Sequence, residues 1–165
     1  MAVTISAAIA LFFLYCIIFI FSNQDGEVSG SVSYQVSKKC VELLGDVTDQ
    51  NWNEERQNIL AVYFEHPLRK LAHFTEFACM AALLYLLWRQ WMDRGGRLFI
   101  LVTVWVFLSA GLDELHQLFA PGRTASLSDV LLDTWGGIFG FLAGFLAERL
   151  LWHLYRQICL KRARR

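Results

Sequence analysis

Apolar positions gather in four long blocks that are separated by shorter polar stretches. The first block, at about 2–22, carries no charge, and three more follow at about 68–91, 97–119 and 127–152. Each block reaches the length of about 20 residues that an α-helix needs to cross a hydrocarbon core of ~30 Å. The pattern therefore predicts an all-α fold, a four-helix transmembrane bundle that forms a single domain over 1–165.

Local signals predict where some of these helices begin. Pro67 is expected to open the second span, because proline suits the first turn of a helix. Ser126 followed by Asp129 resembles a capping box at the start of the fourth span. Gly-rich loops at 93–97 and 120–126 separate the last three spans.

The segment 23–67, between the first and second spans, is more polar than the spans and is predicted to be partly helical. An apolar stripe at helical spacing runs from Val32 to Leu44, and Gly45 could close that helix. A second amphipathic piece is expected around 59–64. Either piece could lie on the membrane surface, or both could form a lid over the bundle.

Composition agrees with a membrane protein. Of the 165 residues, 56% are apolar and 18% are charged, against about 45–50% and about 25% in soluble domains. The concentration of the apolar residues into blocks excludes an ordinary soluble enzyme and a disordered chain. Lys plus Arg and Asp plus Glu each number 15, so no nucleic-acid partner is predicted.

Basic residues predict the orientation of the chain. The positive-inside rule assigns the short loop after the second span and the C-terminal tail to the cytoplasm. The basic residues concerned are Arg89, Arg94 and Arg97 in the loop, and Arg156, Lys161, Arg162, Arg164 and Arg165 in the tail. We therefore expect a multi-pass protein of the cell membrane with both termini cytoplasmic and with 23–67 and 120–126 outside.

This topology brings polar residues of three spans to one depth, near the outer leaflet. They are Lys70, His73 and Glu76 on the second span, Asp113, Glu114, His116 and Gln117 on the third, Arg123 on the following loop, and Asp129 and Asp133 on the fourth. Ionisable groups inside a membrane are costly unless they are paired or solvated, so such a cluster is a candidate functional site.

Helical spacing also gathers these groups on common faces. His73 and Glu76 are separated by three residues and share one face, as Asp129 and Asp133 do at a separation of four. The stripe of Asp129 and Asp133 continues in a G-x-x-x-G-x-x-x-G run formed by Gly136, Gly140 and Gly144. Such a run lets another helix approach closely, so the acidic face is expected to point into the bundle. The run could serve packing within one chain or a homodimer.

Several segments resemble the VanZ-like membrane proteins, a group named for a teicoplanin-resistance factor. The segments are FSNQDG at 21–26, RKLAHFTEF at 69–77, DELHQLFAPGR at 113–123, SLSD at 126–129 and GGIFG at 136–140. They occur in the family's order and span most of the chain. Two departures are Asp133, where the family usually has Asn, and Phe77, where Tyr is common. The resemblance implies an integral membrane protein of the cell envelope and a link to teicoplanin-type glycopeptide tolerance, but it supplies no reaction.

The leading functional hypothesis is an outer-leaflet polar pocket that binds an anionic amphiphile, with modification of that molecule as an extension of the role. The amphiphile would be a lipid or a lipid-linked cell-wall precursor. Arginine as a fork and lysine as a point charge both suit its phosphate. The predicted binding residues are Lys70, Asp113, Gln117, Arg123 and Asp133. The predicted acid–base residues are His73, Glu76, Glu114, His116 and Asp129.

Alternatives stay open from the sequence. No cofactor is predicted, although His73, Glu76, Glu114 and His116 are residue types that could hold a divalent metal. Carboxylates and histidines within helices also make proton relays, so a small proton-coupled transporter subunit is a second hypothesis. The third is a non-catalytic scaffold whose cluster is structural, with Lys70 paired to Asp129 or Asp133 and His73 bonded to Glu114.

Overall fold

The computed structural model describes residues 2–92 and 95–163, and over this part of the chain it contains five helices. They are α1 (Ala2–Ser22), α2 (Gly26–Val47), α3 (Glu54–Trp88), α4 (Gly96–Gln117) and α5 (Leu127–Ala163). Three of the basic residues on which the predicted orientation rests lie outside the described residues: Arg94, Arg164 and Arg165. The described residues form no strand, so the predicted all-α class is confirmed.

Four of the five helices, α1, α3, α4 and α5, are long and apolar enough to cross a membrane. The prediction of a four-span bundle is thereby confirmed. Helix α3 contacts all four of the other helices and forms the centre of the bundle. The buried core includes Leu84, Tyr85, Leu98 and Val102, whereas large apolar residues such as Phe12 on α1 are exposed. An exposed apolar surface of this kind suits contact with lipid chains.

Helix α3 runs through Pro67 without interruption, so the prediction that Pro67 opens the second span was wrong. The cause is the packing of α2, which runs antiparallel along the first half of α3. Ser37 Oγ donates to the Ala61 carbonyl at 2.8 Å, and Tyr34 Oη donates to Asn58 Oδ1 at 3.1 Å. These contacts stabilise the helix on the N-terminal side of the proline, although proline lacks the N–H for one helical hydrogen bond. The amphipathic piece predicted around 59–64 is therefore part of α3.

We refer to α2 together with the first part of α3, 54–67, as the helical hairpin. The 35 residues of α3 give a length of about 52 Å at ~1.5 Å per residue, which exceeds a hydrocarbon core of ~30 Å. A bilayer centred on the apolar part of α3 therefore leaves the helical hairpin beyond the core. Gly45 does not close α2 as expected, because it lies buried inside that helix, which ends at Val47.

Helix α5 is longer than the predicted span 127–152 and continues to Ala163. No glycine or proline interrupts the stretch 145–163, so nothing in the local sequence ends the helix at the boundary of the apolar block. At this end of the bundle Tyr85 of α3 and Arg89, the residue that follows α3, both contact Glu148 of α5. These contacts tie the C-terminal end of α3 to α5.

The glycine run of α5 packs against α3 of the same chain. A Cβ added at Gly136 would collide with the carbonyl group of Phe74, and one added at Gly140 would collide with that of Ala78. At Gly144 an added Cβ would lie 3.3 Å from the Tyr85 ring. Close backbone approach of this kind requires glycine, and it brings Asp129 and Asp133, on the same stripe, toward α3.

Candidate functional site

The predicted polar residues gather where α1 ends, α4 ends and α5 begins, which we call the polar end. Ser22, the last residue of α1, donates a hydrogen bond from its buried hydroxyl to Asp113 on α4. Arg123 Nη2 donates to the Phe21 carbonyl at 3.1 Å. These two bonds tie the end of α1 to α4 and to the loop that follows α4.

Two glycines bring the loop before α2 against the loop before α5. The Gly26 N–H donates to the Pro121 carbonyl at 2.9 Å, and a Cβ at Gly26 would lie 2.7 Å from the Gly122 carbonyl oxygen. Gly122 has a φ of 72°, a conformation that glycine adopts without the steric cost borne by other residues. The two loops thus form one wall of a cavity at the polar end.

This polar cavity has a volume of about 320 Å³ and lies between α3, α4, α5 and the two loops. Seven predicted site residues line it: Lys70, His73, Glu114, Gln117, Arg123, Asp129 and Asp133. Three others, Glu76, Asp113 and His116, do not line it. Four lining residues with polar side chains were not predicted: Glu65, His66, Arg69 and Thr124.

Two of the acidic residues in the polar cavity have structural partners. Lys70 Nζ lies 2.6 Å from Asp129 Oδ1, one of the pairings considered for a structural cluster. Glu114 Oε2 accepts a hydrogen bond at 2.7 Å from the backbone N–H of Ser126. The Ser126 N–H, which lies just before α5, is therefore bonded to a carboxylate of α4. This bond takes the place of the predicted capping box between Ser126 and Asp129. The Ser126 hydroxyl instead contacts Ser128 Oγ at 2.6 Å.

Other acidic groups lie deeper, toward the core. His73 Nδ1 is 3.5 Å from Glu76 Oε2, so His73 pairs with Glu76 rather than with Glu114 as the structural alternative proposed. Gln117 donates to Asp113 at 2.9 Å. Asp133 is only 2% exposed, and its Oδ1 has no hydrogen-bond partner within the described residues. A buried polar atom without a partner is costly, so this carboxylate lowers the stability of the bundle at the polar end.

Two arginines of the polar cavity stand apart from its ion pairs, although four carboxylates also line it: Glu65, Glu114, Asp129 and Asp133. Arg69 and Arg123 both line it, and neither forms an ion pair with any carboxylate in the described part of the chain. Arg69 donates to His66 Nδ1 at 3.4 Å. Burial lowers the pKa of Arg123 and the charge of Arg69 lowers it further, whereas Asp113 and Glu114 raise it. Two neighbouring cations that repel each other are stabilised by an anion between them.

His116 lies away from the polar cavity, against α1. Its ring stacks on Phe19 with the centroids 4.6 Å apart and the planes 10° apart. It lines a separate, mostly apolar groove of about 510 Å³ between α1 and α4, together with Tyr15 and Trp105. The four residues considered as metal ligands are therefore divided between two places. Over residues 2–92 and 95–163, no group of three or more His, Cys, Asp or Glu side chains is arranged to hold a metal ion.

Arg69 carries a sequence signal that could have identified it as a lining residue. It precedes His73 by four residues, so the two share a face of any helix that contains both. The adjacent Lys70 was predicted instead, and it is paired with Asp129. Glu65 and His66 were missed for another reason, because the second span was expected to begin only after them.

A protein-family model described as VanZ/LLP1 matches residues 7–148. The matched range covers most of the chain and includes every residue that lines the polar cavity. No curated protein and no solved structure matches the chain.

Proposed function

The chain belongs to the VanZ/LLP1 family, and from this premise we propose that its polar cavity binds the anionic head group of a membrane amphiphile. The observation that carries the proposal is the pair of arginines, Arg69 and Arg123, which line one cavity without an ion-pair partner among the described residues. Guanidinium groups bind phosphate through two parallel hydrogen bonds. A phosphate between the two arginines would relieve their mutual repulsion and satisfy both.

The remaining groups of the cavity suit the rest of such a head group. Asp133 lines the cavity, and its carboxylate could accept a hydrogen bond from a hydroxyl or ammonium group of the head group after a small side-chain movement. Lys70 is neutralised by Asp129, so it contributes less to anion binding than the two arginines do. A lipid phosphate and the pyrophosphate of a lipid-linked cell-wall precursor both have this chemistry.

In the proposed orientation, the polar end faces outward and both termini are cytoplasmic. The end opposite the polar end carries Arg89 and Arg97 as well as Arg156 and Lys161, and such basic residues favour the cytoplasmic side. The helical hairpin would then project from the outer face, with the polar cavity at the level of the outer leaflet.

A proton-transfer role for the site rests on the His73–Glu76 pair. His73 Nδ1 lies 3.5 Å from Glu76 Oε2 without a hydrogen bond between them, and His73 lines the cavity, so a bound head group could exchange a proton with it. We assign this proton exchange to these two residues and a structural role to Glu114 and Asp129. Proton uptake or release on binding of dioleoyl phosphatidylglycerol, measured in weakly buffered detergent for wild type and His73→Gln, tests this role, since only wild type should exchange a proton.

Thermal unfolding in detergent tests the binding function. Dioleoyl phosphatidylglycerol should raise the Tm of wild type more than dioleoyl phosphatidylcholine does. The Arg69→Gln, Arg123→Gln double variant should lose this difference. Arg56→Gln is the matched control, because Arg56 is exposed on the helical hairpin and does not line the cavity. An equal preference for phosphatidylglycerol in wild type and the double variant would reject the proposal.

Teicoplanin-type antibiotics carry a lipid tail, so binding of outer-leaflet anionic lipids would alter the surface that such an antibiotic meets. We expect expression of wild type to raise the survival of sensitive cells in teicoplanin. The Arg69→Gln, Arg123→Gln double variant should not raise it. Equal protection by the two proteins would show that teicoplanin tolerance does not depend on the polar cavity.

A further inference from the structure

A second, apolar groove adjoins the polar cavity. It has a volume of about 170 Å³ and lies between the end of α1, α2 and α3. Its apolar walls are formed by Phe21, Val32, Val36, Leu68 and Ala72. It is therefore narrow and apolar, whereas the polar cavity is wider and lined by charges.

The groove and the polar cavity lie side by side and share part of their lining. Arg69, His73 and Arg123 line both, so the arginine pair stands where the two spaces meet. Glu76, the partner of His73, lines only the groove. The lining thus changes from mainly charged in the polar cavity to mainly apolar in the groove. A lipid changes in the same way from its phosphate to its hydrocarbon chain.

The walls of the groove also continue into exposed apolar surface. Phe21 is 45% exposed, and Val32 and Val36 on α2 are 48% and 49% exposed. On α1 the exposed apolar surface continues away from the groove through Phe19 and Ile20. The groove therefore opens onto apolar surface of both α1 and α2, where a hydrocarbon chain would find apolar contacts.

The size of the groove selects its occupant. A helix with its side chains is about 10–12 Å across, so it is too bulky to fit in a groove with a volume of about 170 Å³. A single hydrocarbon chain is thin enough and matches the apolar walls. We infer that this groove holds one acyl chain of the amphiphile whose anionic head group lies between Arg69 and Arg123, so that the ligand is a membrane lipid and not a water-soluble anion. This inference rests on the proposed head-group binding.

Its test separates the chain from the head group. Ala72→Trp fills the groove from α3, and Val36→Trp fills it from α2, while Leu71→Trp is the control because Leu71 is exposed on α3 and does not line the groove. The probes are dioleoyl phosphatidylglycerol and its deacylated head group, glycerophosphoglycerol, which has no acyl chain. Their dissociation constants are measured in detergent for all four proteins.

Both groove variants should weaken binding of the dioleoyl lipid by about tenfold or more, the scale expected when a filled space is overpacked. They should bind glycerophosphoglycerol within about twofold of wild type, which also establishes that they fold. Unchanged binding of the dioleoyl lipid in both variants would overturn the groove inference and leave the head-group proposal intact. Loss of glycerophosphoglycerol binding in both variants, with wild-type circular dichroism, would overturn it too, because the groove would then belong to the head-group site. If wild type binds neither probe, the head-group proposal itself fails.

Discussion

Lys70 and Asp129 form an ion pair of 2.6 Å on the wall of the polar cavity. The two side chains are 35% and 31% exposed, so the pair contributes about 0–1 kcal/mol to stability. Its larger consequence is electrostatic. Because Lys70 is paired with Asp129, the cavity's cations without an ion pair among the described residues are Arg69 and Arg123, and head-group binding should depend on these two residues.

Asp129→Asn should strengthen anion binding. The change releases the ammonium group of Lys70 and adds a third cation to the cavity, which should lower the Kd for phosphatidylglycerol by about threefold, an effect of under ~1 kcal/mol at a partly exposed site. The measurement is a lipid titration of wild type and variant. Weaker binding in the variant would instead mean that Asp129 contacts the ligand.

Glu114 should prove to be structural. Glu114→Gln keeps an oxygen that can accept the Ser126 N–H bond, whereas Glu114→Ala removes it. We expect Glu114→Ala to lower the free energy of unfolding by about 1–2 kcal/mol, as for the loss of a helix cap, and Glu114→Gln to lower it much less. Urea unfolding in detergent measures both variants. Equal losses in the two would count against the hydrogen bond.

Gly140→Ala should destabilise the bundle. Its added Cβ collides with the Ala78 carbonyl group, so α3 and α5 must separate, at a cost of about 1–3 kcal/mol or more. Gly111→Ala on α4 is the matched control, because an added Cβ there meets nothing within 4 Å. The control should be neutral or gain up to ~1 kcal/mol from its higher helix propensity. Similar unfolding free energies for both variants would contradict the close approach of α3 and α5.

Binding of an anionic lipid should weaken as salt rises. Arg69 and Arg123 are only half-buried, so salt screens their attraction for a phosphate, with a Debye length that falls from about 10 Å at 0.1 M to about 3 Å at 1 M. The Kd for dihexanoyl phosphatidylglycerol is measured across this range. A Kd that does not change with salt would indicate that binding depends on the apolar contacts alone.

The four spans and the polar end could be predicted from the sequence because both follow from local signals. Apolar blocks of sufficient length specify the spans, and their alternating direction brings Lys70, Glu114 and Asp129 to one end. The continuity of α3 across Pro67 could not be predicted, since it depends on the packing of α2 through Ser37 and Ala61. Local proline chemistry favoured a helix start there.

The partners within the site were harder to predict than its members. The sequence placed several acidic and basic residues at one depth, but side-chain pairing depends on the rotation of each helix about its axis. That rotation directs Lys70 to Asp129 and leaves Arg69 open to the cavity. It also turns His116 toward Phe19 on α1, although its chain neighbours Glu114 and Gln117 line the cavity.

Native mass spectrometry of the purified protein tests the central claim most directly. Wild type and the Arg56→Gln control should each retain one anionic amphiphile per chain after delipidation. The folded Arg69→Gln, Arg123→Gln double variant should carry none. An anionic amphiphile retained equally by all three proteins, or by none of them, would contradict the assignment of the arginine pair as the head-group site.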